Sequence, residues 1–325
     1  MVTNAAPAGP RGASVAELVG RARNGEPRAV ARLISLVEDE SPRLREVMAA
    51  LAPHAGNAHV VGITGAPGVG KSTSTSALVS AYRESGKRVG VLAVDPSSPF
   101  SGGALLGDRV RMQDHATDAG VFIRSMASRG HLGGLAWSTP QALRVLDAAG
   151  FDVILVETVG VGQSEVEIAG LADTTLVLLA PGMGDGIQAA KAGILEVGDI
   201  YVVNKADRDG VPNLTRELRT MLSLADRPAD AWVPPILKTV ASRNEGMDTV
   251  VAKIEERLGW LRRTGVLEQR RRARARDEIE AIAMTALRTR FGDLHGDARL
   301  DVLAAKVADG DTDPYAAADE LIAAL

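Results

Sequence analysis

Residues 65–72 read Gly-Ala-Pro-Gly-Val-Gly-Lys-Ser, and this segment constrains the fold more than any other part of the chain. It matches the G-x-x-x-x-G-K-S pattern of a phosphate-binding loop, follows the apolar run 60–64 and precedes the helix-competent stretch 72–85. A strand, a glycine-rich turn and a helix in that order direct backbone N–H groups and a helix N-terminus at an anion. The alternative interpretation is a plain glycine-rich turn between a strand and a helix. We predict a nucleoside-phosphate site formed by Gly65, Ala66, Pro67, Gly68, Val69, Gly70, Lys71, Ser72 and Thr73.

Short apolar segments alternate with amphipathic stretches between about residues 59 and 258. This alternation is typical of an α/β fold with a mostly parallel, doubly wound sheet that helices cover on both faces. In such folds ligands bind beyond the carboxyl ends of the strands, where the glycine-rich loop would lie. The predicted strands are 60–64, 89–94, 121–125, 152–157, 174–180, 199–204 and 235–240.

Helical patterns flank the alternating region on both sides. Apolar residues recur at helical spacing within 14–51, and a basic run, 269–276, opens a second helical region after Trp260. Because acidic residues flank the basic run and no aromatic residue interleaves with it, a solvated helix face explains it better than nucleic-acid binding. We predict an N-terminal helical extension (1–57), a P-loop domain (58–262) and a C-terminal helical arm (263–325) that packs on a partner subunit or on the main domain.

Composition narrows the class of protein further. A formal net charge of −4 gives no overall reason to expect binding to nucleic acids or to anionic membranes. The chain has no cysteine, which excludes disulfides, thiolate zinc sites and cysteine nucleophiles. No apolar stretch approaches the roughly 18 residues that span a bilayer, and the Ala/Pro/Gly-rich start lacks the apolar core of a secretory signal. We expect a cytoplasmic protein that binds neither nucleic acid nor membrane.

A second motif, Asn204-Lys-Ala-Asp207, directly follows the apolar run 200–203. The Asp207 carboxylate offers two acceptors, which match the ring N–H and the exocyclic amine of guanine but not adenine. Lys205 can lay its aliphatic stem on a base, and Asn204 can brace the loop. The alternative is a polar loop after a strand; in this order after a phosphate-binding loop, the motif predicts GTP rather than ATP.

Carboxylates also follow two other predicted strands. Strand 152–157 ends at Glu157, and Asp95 directly follows strand 89–94, with Asp108 at the end of a glycine-rich stretch further on. Carboxylate oxygens suit Mg²⁺, although Asp95 and Asp108 would fit turn or helix caps as well. We predict Mg²⁺ ligands or outer contacts at Ser72, Asp95, Asp108 and Glu157, and catalytic roles for Lys71, Glu157, Asp95 and Asp108.

Three further loops carry weaker signals. Gly160 lies three residues after Glu157, where its N–H would sense a γ-phosphate. In 181–191, glycines flank Asp185, which suggests a mobile loop beside the nucleotide or a plain connection. The segment 239–242 lies where a base-contacting backbone loop is expected, with Ala241 and Ser242 as its candidates.

Together these segments resemble the MeaB/ArgK family of GTPases, accessory proteins of methylmalonyl-CoA mutase. The stretches that carry the resemblance are 62–72, 94–99, 107–108, 157–165 and 204–207, and the resemblance covers about residues 15 to 290. It implies a GTPase domain of the signal-recognition-particle and MinD-related class, with Mg²⁺ and GTP or GDP as ligands. It also implies slow hydrolysis that the mutase accelerates, and a homodimer formed through the C-terminal arm. The purpose would be to gate adenosylcobalamin delivery and to protect or rescue the mutase, with adenosylcobalamin bound only to that partner.

The resemblance also assigns roles to individual positions. Asp95, Asp108 and Glu157 match the acidic switch residues of the family. Its third switch loop, matched by Asp185, Gln188 and Lys191, is implied to relay the nucleotide state to the partner. The chain departs from the family at Ala241-Ser242, where the commoner order is Ser-Ala. Gln163 and Glu165 are the candidates for positioning the attacking water.

Other functions remain open at this stage. One is a P-loop kinase or ATPase linked to arginine and ornithine transport, a name that some relatives carry. Another is a nucleotide-gated binding module with negligible turnover. A third is a chaperone of another B12-dependent acyl-CoA mutase.

Overall fold

The computed structural model describes residues 13–96, 115, 117–128, 138–158, 164–182, 197–224, 228, 230–291 and 298–323. Within these ranges it leaves out the side chains of 95, 96, 127, 128, 164–166, 288–291 and 298. The described residues fall into two compact units, one that ends at Leu267 and one that begins at Glu268.

The first unit is built on a seven-stranded sheet with the order β3-β2-β4-β1-β5-β6-β7, in which every neighbouring pair is parallel. The predicted parallel α/β fold is therefore confirmed, and each predicted strand is present to within a few residues. The strands are β1 (His59–Thr64), β2 (Val89–Pro96), β3 (Val121–Ser128), β4 (Val153–Thr158), β5 (Thr174–Leu179), β6 (Ile200–Val203) and β7 (Ile236–Lys238).

The interior strands β1, β2, β4, β5 and β6 are almost wholly buried because helices cover both faces of the sheet, whereas the edge strands β3 and β7 are partly exposed. Alternate residues point to opposite faces, so Val61 and Ile63 pack into one core while Ile154 and Val156 pack into the other. Burial on both faces explains why the sequence shows continuous apolar runs here rather than alternation. The register places Ile63 beside Glu157, which brings the end of β4 next to the start of the phosphate-binding loop.

Helices α4 and α8 cover one face of the sheet, and the other face is covered by α5, α6 and the N-terminal helices α1 to α3. Among the described residues, no helix combines the length and the apolar content that crossing a bilayer requires. The helices are α1 (Val15–Arg23), α2 (Pro27–Glu38), α3 (Leu44–Leu51), α4 (Lys71–Glu84), α5 (Thr139–Ala148), α6 (Ser164–Leu171), α7 (Val211–Ser223), α8 (Met247–Arg263), α9 (Val266–Phe291), α10 (Ala298–Ala308) and α11 (Pro314–Ala323).

The N-terminal helices belong to the same core as the sheet. The Ser14 side chain accepts from the Glu17 N–H and caps α1, and Pro27 begins α2, where a missing N–H costs nothing. Their apolar faces join strand and α5 residues in one cluster. Arg124 on β3 pairs with Glu38 on α2, which fixes this layer against the sheet. The predicted helical extension is thus a covering layer of the first unit.

The second unit contains α10, α11 and all but the first residues of α9. Its buried cluster is small, formed by Leu303, Ala317 and Leu321 with Val307 packed against it. Several apolar side chains of α9 are exposed: Ile279, Ile282, Met284 and Leu287. Among its described residues this unit has a small core and exposed apolar surface, and its packing on a partner subunit or on the main domain stays a prediction.

Candidate functional site

The loop between β1 and α4 depends on glycines whose backbone conformations other residues rarely adopt. Gly65 has φ +141°, and an added Cβ would overlap the carbonyl oxygen of Leu178 on β5. Gly70 has φ +97° and ends the loop as the N-cap of α4. These conformations let the backbone wrap close to an anion at the positive end of the helix. The loop therefore has the shape that phosphate binding requires.

Lys71 is the first residue of α4, and its side chain is buried within the loop. Its Nζ donates to the carbonyl oxygens of Gly65 at 2.6 Å and Ala66 at 3.2 Å. The Lys71 ammonium is thus held against the backbone of the 65–72 loop, on the side where a phosphate chain would bind. This position fits the predicted role of Lys71 at the β- and γ-phosphates.

Ser72 and Glu157 meet at the carboxyl edge of the sheet. The Ser72 hydroxyl donates to Oε1 of Glu157 at 2.6 Å, and both residues are buried. Thr75, one turn further along α4, places its Oγ1 2.8 Å from the second carboxylate oxygen, Oε2. A buried cluster of hydroxyl and carboxylate oxygens beside a phosphate-binding loop fits the hard-oxygen preference of Mg²⁺. Ser72 and Glu157 would hold such an ion, which would neutralise charge on the phosphates.

Asn204 joins three segments that lie far apart in the sequence. Its Nδ2 donates to the carbonyl oxygen of Val69 in the phosphate-binding loop at 2.9 Å. Its Oδ1 accepts from the Thr239 hydroxyl at 3.2 Å and from the Ala241 N–H at 3.1 Å. The side chain is buried, so these contacts fix the loop after β6 to the phosphate loop and to the segment after β7. Asn204 thus links these loops, and the Ala241 N–H lies in direct contact with it.

Lys205 and Asp207 follow on the same loop. Lys205 has φ +58°, and its Nζ donates to the carbonyl oxygen of Gly68 at 2.6 Å, so its stem spans the gap between the two loops. Asp207 is exposed, and an oxygen of its carboxylate lies 3.7 Å from Nη2 of Arg243, itself exposed. An exposed pair of this kind contributes little to stability, which leaves the carboxylate available to a base. Ser242 lies beside Arg243 in a single turn of 3₁₀ helix.

Several predicted site residues lie outside the described part of the structure. Asp95 is on β2, one residue beyond the pairing of Val94 with Thr158, and its side chain is not described. The same holds for the side chain of Glu165. The remaining positions, whose backbone is also outside the described ranges, are Asp108, Gly160, Gln163, Asp185, Gln188 and Lys191.

Thr75 is the site residue that sequence reasoning missed. It lies three residues after Ser72, so the helical repeat places both hydroxyls on one face of α4. That spacing was the available signal, but only the fold shows that the face meets Glu157, 82 residues away. The described residues hold no group of three or more His, Asp or Glu side chains that could bind a metal ion.

The chain matches one protein-family model, which describes the methylmalonyl-CoA mutase-associated GTPase MeaB, over residues 30–294. The match includes the phosphate loop, Glu157, the 204–207 loop and the segment around Ala241. It ends within the C-terminal region.

Individual relatives agree with the family match. A putative GTPase of Pyrococcus abyssi is 47% identical over 308 residues, which cover 94% of this chain and 95% of the relative. The mouse mitochondrial methylmalonic aciduria type A homolog is 41% identical over 190 residues, covering 58% of this chain and 46% of the relative. A crystal structure described as a LAO/AO transport system kinase is similar with a TM-score of 0.73 and 30% identity, covering 94% of this chain and 96% of that one.

Proposed function

Because the chain belongs to the family of methylmalonyl-CoA mutase-associated GTPases, we propose that it is a G-protein chaperone of an adenosylcobalamin-dependent methylmalonyl-CoA mutase. It is a GTPase with a P-loop fold, and the proposal concerns what its nucleotide cycle serves. In this proposal the GTP- and GDP-bound forms gate delivery of the cofactor to the mutase and protect or rescue it. Adenosylcobalamin is bound by the mutase and not by this chain. The family match over residues 30–294 is the observation that carries the proposal.

We assign the chemistry to residues of the described site. Phosphoryl transfer needs positioning and charge stabilisation more than covalent chemistry. Lys71 stabilises charge on the β- and γ-phosphates, and Ser72 with Glu157 holds Mg²⁺. Gly65 to Thr73 surround the phosphate chain, and Asp207 pairs with guanine while Asn204 keeps its loop in place. Asp95 and Asp108 remain proposed metal-side residues, and Gly160, Asp185, Gln188 and Lys191 proposed switch residues.

We also propose a homodimer that forms through the C-terminal helices. The support is the exposed apolar side chains of α9, which include Ile279, Ile282 and Leu287. Exposed apolar side chains on a helix mark a surface that another helix can cover. The cysteine-free sequence suits a reducing compartment, so we place the protein in the cytoplasm.

The proposal is tested by co-elution with methylmalonyl-CoA mutase in the presence of GDP and of a non-hydrolysable GTP analogue. We expect binding that differs between the two nucleotides, together with faster phosphate release from GTP when the mutase is added. A matched sample of the Lys71→Ala variant, which lacks the phosphate contact, should lose the nucleotide dependence. Absence of co-elution in both nucleotide states would exclude the mutase as partner, but it would not contradict the assignment of the protein as a GTPase.

A second candidate is a kinase or ATPase of arginine and ornithine transport, which the similarity to the LAO/AO transport system kinase structure favours. It predicts transfer of the γ-phosphoryl group to an acceptor other than water. Incubation with γ-labelled GTP and ATP separates the two functions. The chaperone predicts that all label appears as free phosphate, whereas a kinase would leave label on a protein or on an amino acid.

A further inference from the structure

Glu157 is held by hydroxyl groups at both of its carboxylate oxygens. Ser72 Oγ lies 2.6 Å from Oε1 and Thr75 Oγ1 lies 2.8 Å from Oε2. Thr75 has no solvent exposure, and both hydroxyls come from the same face of α4. The carboxylate is therefore fixed in rotation about its final bond, with Oε1 turned towards Ser72.

A carboxylate near a metal needs this kind of support. Rotation about the terminal bond is a broad and shallow torsion that moves both oxygens together, so a single contact restrains it only weakly. Outer contacts that hold a ligand in one orientation typically change metal affinity or activity by about 10–100-fold. A hydroxyl is suited to this task because it donates a hydrogen bond without cancelling the negative charge that attracts the cation.

We propose that Thr75 is a positioning residue for magnesium: its hydroxyl holds Oε2 of Glu157 so that Oε1 stays beside Ser72. The inference rests on the proposed function of Ser72 and Glu157 at the Mg²⁺ side of the nucleotide. Thr75 Oγ1 also lies 3.0 Å from the carbonyl oxygen of Lys71, the common contact of a helical threonine with the preceding turn. If that contact were its whole purpose, loss of the hydroxyl would change helix stability and leave Mg²⁺ binding as it is.

The chain offers matched variants that separate these roles. Thr75→Val keeps the branched shape and removes the hydroxyl, whereas Thr75→Ser keeps the hydroxyl and removes a methyl group. Ser74 is the neighbouring control: it is buried on the same helix, and its hydroxyl has no hydrogen-bond partner among the described residues. Ser74→Ala therefore removes a buried hydroxyl that does not contact Glu157.

The experiment measures release of a fluorescent GDP analogue from the full chain as a function of Mg²⁺ concentration. We expect Thr75→Val to raise the Mg²⁺ concentration at the midpoint by about 10–100-fold. Thr75→Ser and Ser74→Ala should stay near the wild-type midpoint. In excess EDTA all four proteins should release the analogue at similar rates, because the phosphate loop itself is unchanged.

Circular dichroism melting curves without nucleotide check that each variant is folded, and Thr75→Ala replaces the valine variant if that one does not fold. A Thr75→Val midpoint equal to that of wild type would overturn the proposal, as would a serine variant as impaired as the valine variant. If the wild-type protein released the GDP analogue at a rate independent of Mg²⁺ concentration, the metal site of the proposed function would be refuted, and this inference with it.

Discussion

The two edges of the sheet both bury a carboxylate, but they hold it in different ways. At the amino edge, Asp199 precedes β6 and accepts from the Thr175 N–H at 3.0 Å and from Nη2 of Arg257 at 2.6 Å. The Arg257 guanidinium is itself buried and lies against the rings of Trp232 and Trp260, at 5.2 and 4.5 Å from their centroids. At the carboxyl edge, Glu157 meets the hydroxyls of Ser72 and Thr75.

The difference shows which edge serves stability and which serves a ligand. A guanidinium that is buried between aromatic rings is fixed, and its removal leaves an uncompensated charge in the protein interior. Hydroxyl groups rotate, keep a hydrogen bond to a carboxylate and still offer lone pairs to a cation. The amino edge therefore locks α8 to the sheet, while the hydroxyls at the carboxyl edge suit the Mg²⁺ and phosphate binding that we propose there.

The largest effect should come from Arg257→Met at the amino edge. We expect the free energy of unfolding to fall by about 3–5 kcal/mol, because Asp199 stays buried without its guanidinium. Urea denaturation followed by circular dichroism measures this loss, with Arg263→Met, an exposed arginine of the same helix, as the control. The folded variant should bind GDP as wild type does. Equal stability of the two variants would show that the buried pair does not fix this edge.

At the carboxyl edge, Lys71→Ala should have the opposite effect, a loss of GTP turnover with little loss of stability. We expect GTP turnover to fall on the order of 10²–10³-fold, because the charge at the β- and γ-phosphates is lost. The free energy of unfolding without nucleotide should change by no more than about 1.5 kcal/mol, the value of the lost hydrogen bonds. Phosphate-release assays and urea titrations measure the two quantities, with the exposed Lys87→Ala as control. A variant that keeps wild-type turnover would remove Lys71 from the site.

The smallest of the three effects should come from a substitution at the carboxyl edge that changes recognition of the base. Asp207→Asn should weaken GDP binding by about 10–100-fold, the value of hydrogen bonds to a charged group, and improve binding of xanthosine diphosphate. The amide donates to the 2-oxo group of xanthine, whereas the carboxylate accepts from the amine of guanine. Competition titrations with both nucleotides measure the change, and Asp209→Asn in the same loop is the control. Unchanged preference for guanine would refute the base assignment.

The sequence predicted the sheet well because buried parallel strands have a strong local signature. The interior strands β1, β2, β4, β5 and β6 are mostly apolar, and described helices separate β1 from β2, β3 from β4, β4 from β5 and β6 from β7. The predicted ends were less accurate: the run 199–204 forms a strand only over Ile200–Val203. The Asn204 N–H still donates to the carbonyl oxygen of Leu179 at 2.8 Å, but its side chain turns to the phosphate loop, and Lys205 then adopts φ +58°. Tertiary contacts, not local preference, end this strand.

The site was predictable only where its residues are contiguous. The phosphate loop and the 204–207 motif are each visible in a few residues, and both lie at the carboxyl edge as expected. The contacts of Asn204 with Val69 and of Thr75 with Glu157 join residues separated by 135 and 82 positions. No local pattern encodes such pairs, because they follow from strand order. The helical pattern of 14–51 likewise shows an apolar face but not that the sheet covers it.

Gly70 limits which substitutions this protein can accept at residues 70 and 204. A Cβ at this position would lie 2.5 Å from Nδ2 of Asn204. The Asn204 side chain, from the loop after β6, therefore occupies the space that a side chain at residue 70 would need. Any side chain at residue 70 would displace the amide, and a larger residue at 204 would strike the loop from the other side. We therefore expect a substitution at residue 70 to be tolerated better when residue 204 is also replaced by a smaller one.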